Sequence, residues 1–277
     1  MITPLDAYKE YQEIPVHTAS GRYHATVKRY RNAGIPTTLG PNWRAIADDM
    51  ERYFRRSAHR DDGVANARPD LRTFTHGNHQ VAFAPAGNTR IALAFRGKLT
   101  PTDLKYFFQA FVAFWPHRQP GPLWSHLGTT AEPPFQALAD QYLGADCNSF
   151  VASYVLRRAP ALYHGTERSI DAYRDRRALR STLQQIRPGD IMIWGRNTTG
   201  NNIHIAAIDS VFVTGATATL AIAQAASDSD VRGLDYRRGF TLELNAAGNI
   251  ALPIPNLFHL RRGAMGGAYV DVYGVDR

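Results

Sequence analysis

The chain contains a single cysteine, Cys147, in the segment Gly144-Ala145-Asp146-Cys147-Asn148-Ser149-Phe150. A turn signal leads into it, and Phe150, Val151, Tyr154 and Val155 follow at i, i+1, i+4 and i+5. That spacing predicts a helix over residues 148–157 and puts the sulfur at its N-terminus. Unpaired backbone N–H groups and the positive end of the helix dipole favour a thiolate there. The same N–H groups are placed to hold an oxyanion that forms on an attacked carbonyl. A helix capped by Asp146 or Asn148, with Cys147 packed beneath as a small apolar side chain, accounts for the segment equally well.

A thiol nucleophile needs a base within hydrogen-bond reach. Of ten histidines, His204 opens an alternating apolar run, Ile203-His204-Ile205-Ala206-Ala207-Ile208, after a polar loop at 195–202. A side chain at the mouth of a strand is well placed to face a helix N-terminus, although a surface histidine at a strand start has the same signature. The imidazole in turn needs a partner on its other nitrogen. The next apolar run, Leu220-Ala221-Ile222-Ala223-Gln224-Ala225-Ala226, carries one polar residue, Gln224. If the two strands pair, Gln224 accepts from the histidine and fixes its tautomer; otherwise it is a half-exposed strand glutamine. Asp209, at the far end of the His204 strand, is the weaker candidate for that role.

The order Asp146-Cys147-Asn148-Ser149-Phe150-Val151, then Arg187-Pro188-Gly189-Asp190-Ile191, then His204-Ile205-Ala206-Ala207-Ile208 resembles the NlpC/P60 cysteine peptidases. Ala221-Ile222-Ala223-Gln224-Ala225 is similar to that family's third segment, with Gln224 in the polar slot. The resemblance covers residues 136–236. It departs from the family at Asn148-Ser149, where Ser-Gly is usual, and at Gln224, where histidine is commoner. Tyr142-Leu143-Gly144 is the closest remnant of the family's aromatic approach, and a long arginine-rich insert lies between Leu156 and Arg187. The resemblance implies a papain-like α+β core, in which the helix bearing the cysteine packs on an antiparallel sheet bearing the histidine. It also implies hydrolysis of amide bonds in peptidoglycan stem peptides. Cys147, His204 and Gln224 would be the catalytic residues, with Asn148, Asp146 and Tyr142 nearby and the Cys147 backbone N–H at the oxyanion. No metal or organic cofactor is implied. One rival keeps the cysteine chemistry but acts as an acyltransferase, deamidase or transglutaminase on proteins or lipids. Another is a catalytically inactive module that binds wall polymer or a partner protein.

The elements that must position these residues follow from periodicity. Trp43, Ile46, Ala47, Met50 and Phe54 predict a helix over 42–56. Residues 80–95 read as a hairpin turning at Ala86-Gly87-Asn88. Thr100 as N-cap, Pro101 at the first helical position and the stripe Leu104, Phe107, Phe108, Phe111, Trp115 predict a strong helix. Short helices are expected at 135–142 and 148–157, and strands at 190–194, 204–212, 217–226, 241–244 and 268–273. Residues 1–40 read as irregular. The proline-rich segment 116–122 suggests a boundary between an N-terminal α+β region of unknown role, 1–120, and a catalytic domain, 121–277.

Composition narrows the function classes. A chain of 277 residues with 44% hydrophobic and 20% charged residues can bury a core. No apolar run approaches the ~20 residues of a membrane span. One cysteine excludes an internal disulfide and a multi-cysteine zinc site, and His76 and His79 alone do not make a structural zinc set. The net charge of +8 favours a polyanionic partner. The basic clusters are short and scattered, so nucleic acid is not the expected partner. No Sec signal is visible at the N-terminus. Two expectations follow: the protein works in the cytoplasm, or it is exported without a cleaved leader, as an antibacterial effector delivered by a contact-dependent secretion system to a target periplasm would be. A cognate immunity protein would then be its partner.

Overall fold

The computed structural model describes residues 2–31, 42–58, 72–76, 79–83, 90–119, 121–128, 130–166, 170–194, 204–226, 233–245, 257–262 and 265–275. They form two compact units, one of residues 10–146 and one joining residues 1–9 to 147–277. The proline-rich segment at 116–122 therefore lies inside the first unit. Pro116 sits in a 3-10 turn and Pro122 at the start of a short helix.

Helix α1 (Pro4–Gln12) runs across the division. The 10–146 unit then contains the hairpin β1 (Ile14–Thr18) and β2 (Gly21–Ala25), helix α2 (Trp43–Ala58), the hairpin β3 (Arg72–His76) and β4 (His79–Phe83), and helices α3 (Arg90–Phe95), α4 (Pro101–Phe114), α5 (Pro122–Ser125) and α6 (Phe135–Tyr142). Residues 1–40, expected to be irregular, thus carry a helix and a hairpin. Helix α4 is the centre of this unit. Thr100 caps it by accepting from the Asp103 N–H at 3.1 Å, and its whole aromatic stripe is buried. Strand β1 and helices α2, α3 and α6 pack against it.

The hairpin expected over 80–95 is corrected. Strand β4 pairs with β3, and residues 90–95 form helix α3. The expected turn at 86–88 lies outside the described residues. Ile-Ala-Leu-Ala-Phe alternates like a strand, but Ile91, Ala94 and Phe95 are the buried set while Leu93 is only half-buried. Burial at i, i+3 and i+4 is a helical period.

The second unit begins with helix α7 (Cys147–Arg158). Strands β5 (Ile191–Trp194), β6 (Ile205–Thr214), β7 (Thr217–Ala226), β8 (Gly233–Leu244), β9 (Phe258–Arg262) and β10 (Met265–Tyr273) follow. All six pair antiparallel in the order β10-β5-β6-β7-β8-β9, and β9 pairs back with β10. The result is a closed six-stranded barrel, which overturns the expected papain-like helix-on-sheet α+β core. The physical cause lies in two features that periodicity did not reveal. Strand β9 was not foreseen, and it bridges β8 to β10. Register shifts between Ile208 and Ser210, between Leu220 and Ala221, and between Met265 and Ala268 disturb the ladders of the long strands. Bulges bend a sheet and raise its twist, which helps it close on itself.

Register separates the two faces of the wall. Ala206, Ile208, Leu220, Ile222, Leu242, Leu260, Val270 and Val272 join one apolar cluster, the filling of the barrel. Full burial of an aliphatic side chain of this kind contributes about 1.5–3 kcal/mol. Ile205, Ala207, Ala221 and Ala223 alternate with that set and are buried all the same. They face outward where α7 packs across β6 and β7, and the small size of the three alanines lets the helix approach closely. No described helix is long and apolar enough to cross a membrane.

Candidate active site

Cys147 is the first residue of α7 and is 7% exposed. Every residue from Cys147 to Val155 is buried, so the first half of the helix is held on all sides. Asn148 donates from Nδ2 to the Thr166 carbonyl at 3.1 Å, fixing the chain that follows the helix.

His204 sits immediately before β6. Its carbonyl accepts from the Trp194 N–H at 2.9 Å, which extends the β5–β6 pairing by one residue. The Trp194 ring meets the imidazole edge-on, with centroids 4.7 Å apart. The ring also makes a polar contact: His204 Nε2 lies 2.7 Å from Gln224 Oε1. Gln224 is 5% exposed and stands opposite Ala206 on β6 and Asp235 on β8. Ala206 belongs to the barrel filling, so Gln224 continues the inner face toward one mouth of the barrel.

The glutamine is itself oriented. Its Nε2 donates to Asp235 Oδ2 at 3.5 Å, and the same oxygen accepts from Arg237 Nε at 2.6 Å. A carboxylate only accepts, so the amide nitrogen must face Asp235 and the amide oxygen must face the imidazole. His204 Nε2 then carries a proton. Gln224 on β7 and Asp235 on β8 thus fix the proton on the ring nitrogen that faces them. Asp235 and Trp194 were missed by sequence reasoning. Strand β8 was read only at its end, 241–244, so the register that opposes Asp235 to Gln224 was invisible. A charged Asp-x-Arg alternation in a strand next to Gln224 was the available signal.

The remaining candidates have partners of their own. Asp146 and Tyr142 belong to the 10–146 unit. The Asp146 carboxylate pairs with Lys98, and its backbone N–H donates to the Gly97 carbonyl at 3.1 Å. The Tyr142 hydroxyl is hydrogen-bonded to His126 Nε2. Burial pushes the Tyr142 hydroxyl above its ordinary pKa and His126 below its own. Asp209 is occupied away from the imidazole. It accepts from the Leu5 N–H at 3.0 Å and from the Tyr236 hydroxyl at 2.7 Å. Burial first, then that bond, raises the Tyr236 pKa. Among the described residues no group of three or more His, Cys, Asp or Glu side chains gathers to hold a metal.

The arrangement at the barrel mouth offers an imidazole whose Nε2 proton is held by Gln224, beside strands on which the cysteine-bearing helix packs. That set can do general-base and nucleophilic chemistry without a bound group. No family model matches the chain, and comparison with curated proteins and with solved structures finds no significant match.

Proposed function

We propose that this protein is a cysteine hydrolase of amide bonds, with Cys147 as nucleophile, His204 as base and Gln224 as the residue that orients the base. The observation that carries the proposal is the 2.7 Å bond between His204 Nε2 and Gln224 Oε1, with Asp235 behind it. It leaves Nδ1 to take the thiol proton. The Cys147 sulfur then attacks the substrate carbonyl while a backbone N–H at the start of α7 holds the oxyanion. The C–N bond breaks as the imidazolium returns its proton to the leaving amine. Water, deprotonated by His204, clears the thioester and restores the thiol.

Helix α7 packs on β6 and β7, the strand that follows His204 and the strand that carries Gln224. For the chemistry to run, the sulfur reaches the imidazole over the rim of those two strands. The segment order shared with the NlpC/P60 peptidases supports amides of peptidoglycan stem peptides as the substrate, and the net charge of +8 suits a carboxylate-rich wall. An effector acting on a competitor's wall, with an immunity protein as its partner, is the context that fits.

The test is digestion of purified muropeptides followed by mass spectrometry, wild type against Cys147→Ala. The proposal expects fragments whose formation drops about a thousandfold or more without the sulfur. Fragments that persist in Cys147→Ala would refute it, as would transfer or deamidation on a protein substrate with the muropeptides left whole.

A further inference from the structure

The arginine-rich insert has no part in the chemistry above. It folds largely into 3-10 turns at Pro160–Leu162, Ile170–Tyr173, Arg176–Ala178 and Leu183–Gln185. The first three of these, with the middle of α7, the start of β5 and the residues after β10, surround a cavity of about 530 Å³. Pockets for small ligands run from roughly 300 to 1,000 Å³.

The cavity is chemically two-sided. Val155, Ile191 and Val275, each nearly fully buried, give it an apolar floor. His164, Tyr173 and Arg176 supply polar groups to its lining. Arg174, also on the wall, is already committed: it donates to Asp171 at 3.1 Å, to Asp271 at 3.4 Å and to the Trp194 carbonyl at 3.0 Å. It is a fixed post with balanced charge. Asp175 is likewise turned to its own turn, accepting from the Arg177 N–H at 2.9 Å. Arg176 is exposed, and its guanidinium makes no ion pair among the described residues.

Tyr173 is 6% exposed, and its hydroxyl has no hydrogen-bond partner among the described residues. The His164 backbone N–H approaches it without reaching hydrogen-bond geometry. Burial pushes the phenol up to about 12, so it remains an O–H donor at neutral pH. A buried donor with no acceptor costs stability, and such groups call for a partner the free protein does not supply.

We propose that this cavity binds a small organic carboxylate with an apolar body. The carboxylate lies against Arg176 and His164 at the rim and turns an oxygen to the Tyr173 hydroxyl. The body packs on Val155, Ile191 and Val275. The site is independent of the reactivity of Cys147, because none of these side chains takes part in it.

Titration calorimetry and backbone amide shifts on the full chain test the proposal, with N-acetyl-leucine, its uncharged amide and inorganic phosphate as probes. The acid is expected to bind and to shift amides within 170–178. The amide and phosphate alone are each expected to bind about tenfold more weakly, and Arg176→Ala to weaken the acid by a similar factor. Tyr173→Phe is expected to lower affinity severalfold while leaving the melting temperature of the free protein unchanged or raised, because it deletes an unpaired buried group. Equal binding of acid and amide, equal binding of phosphate, or no amide shift in 170–178 would overturn it. So would a Tyr173→Phe protein that melts lower yet binds unchanged.

Discussion

Each unit of the molecule holds a histidine bonded through Nε2 to a neutral partner, and the two pairs are built differently. In the 10–146 unit, His126 meets the Tyr142 hydroxyl. A hydroxyl both donates and accepts, so that bond is satisfied with the imidazole in either tautomer. At the barrel mouth, His204 meets the Gln224 amide, whose far end is held on Asp235, itself tied to Arg237. That amide cannot turn without placing its oxygen against a carboxylate. A bond to histidine becomes a chemical setting when a third group fixes its polarity. His204 has that third group, supplied by the next strand.

The comparison can be broken in three steps of falling size. Gln224→Leu removes the acceptor and leaves the imidazole free to change tautomer. Muropeptide turnover should fall about a hundredfold, mostly in kcat. Asp235→Asn keeps the shape but releases the amide. Turnover should fall about tenfold, and the His204 ring-nitrogen NMR shifts should move from one tautomer to a mixture. Unchanged nitrogen shifts in Asp235→Asn would show that the relay has no hold on the ring.

His126→Gln should leave turnover within about twofold and act only on stability. Burial depresses the folded pKa of His126 below its ordinary value of 6.5. As pH falls past that value the unfolded chain takes up the proton first, so stability declines until the pH has passed below the folded value. Because His126 is largely exposed, the effect is small. The melting temperature between about pH 7.5 and about pH 5.5 should drop slightly less in His126→Gln than in the wild type.

Much of the local structure was legible in the sequence. Thr100, Pro101 and Asp103 announced α4 because capping is a short-range matter of side chain and backbone. The strands expected at 190–194, 204–212 and 217–226 were legible as short apolar runs and stand at 191–194, 205–214 and 217–226, and the antiparallel pairing of β6 with β7 sets Gln224 near His204. Closure of the barrel was not legible. It depends on β9 pairing with both β8 and β10, long-range contacts with no trace in the local pattern of Phe258–Arg262. The α3 error has a similar origin: six residues that alternate in type satisfy a strand template until tertiary packing selects a helical set. Asp235 escaped notice because the Asp-x-Arg alternation gains a meaning only from the register that opposes it to Gln224. The division of the chain at 146–147 follows no composition shift, since α6 and α7 read as neighbouring helices of one region.

The central claim is that the Cys147 sulfur and the His204 imidazole work as a pair. The rate of Cys147 alkylation by iodoacetamide across pH, in wild type and in His204→Ala, measures this most directly. The account predicts labelling of the folded wild type at mildly acidic pH that disappears in His204→Ala. Identical profiles in the two proteins, or labelling only after unfolding, would contradict it.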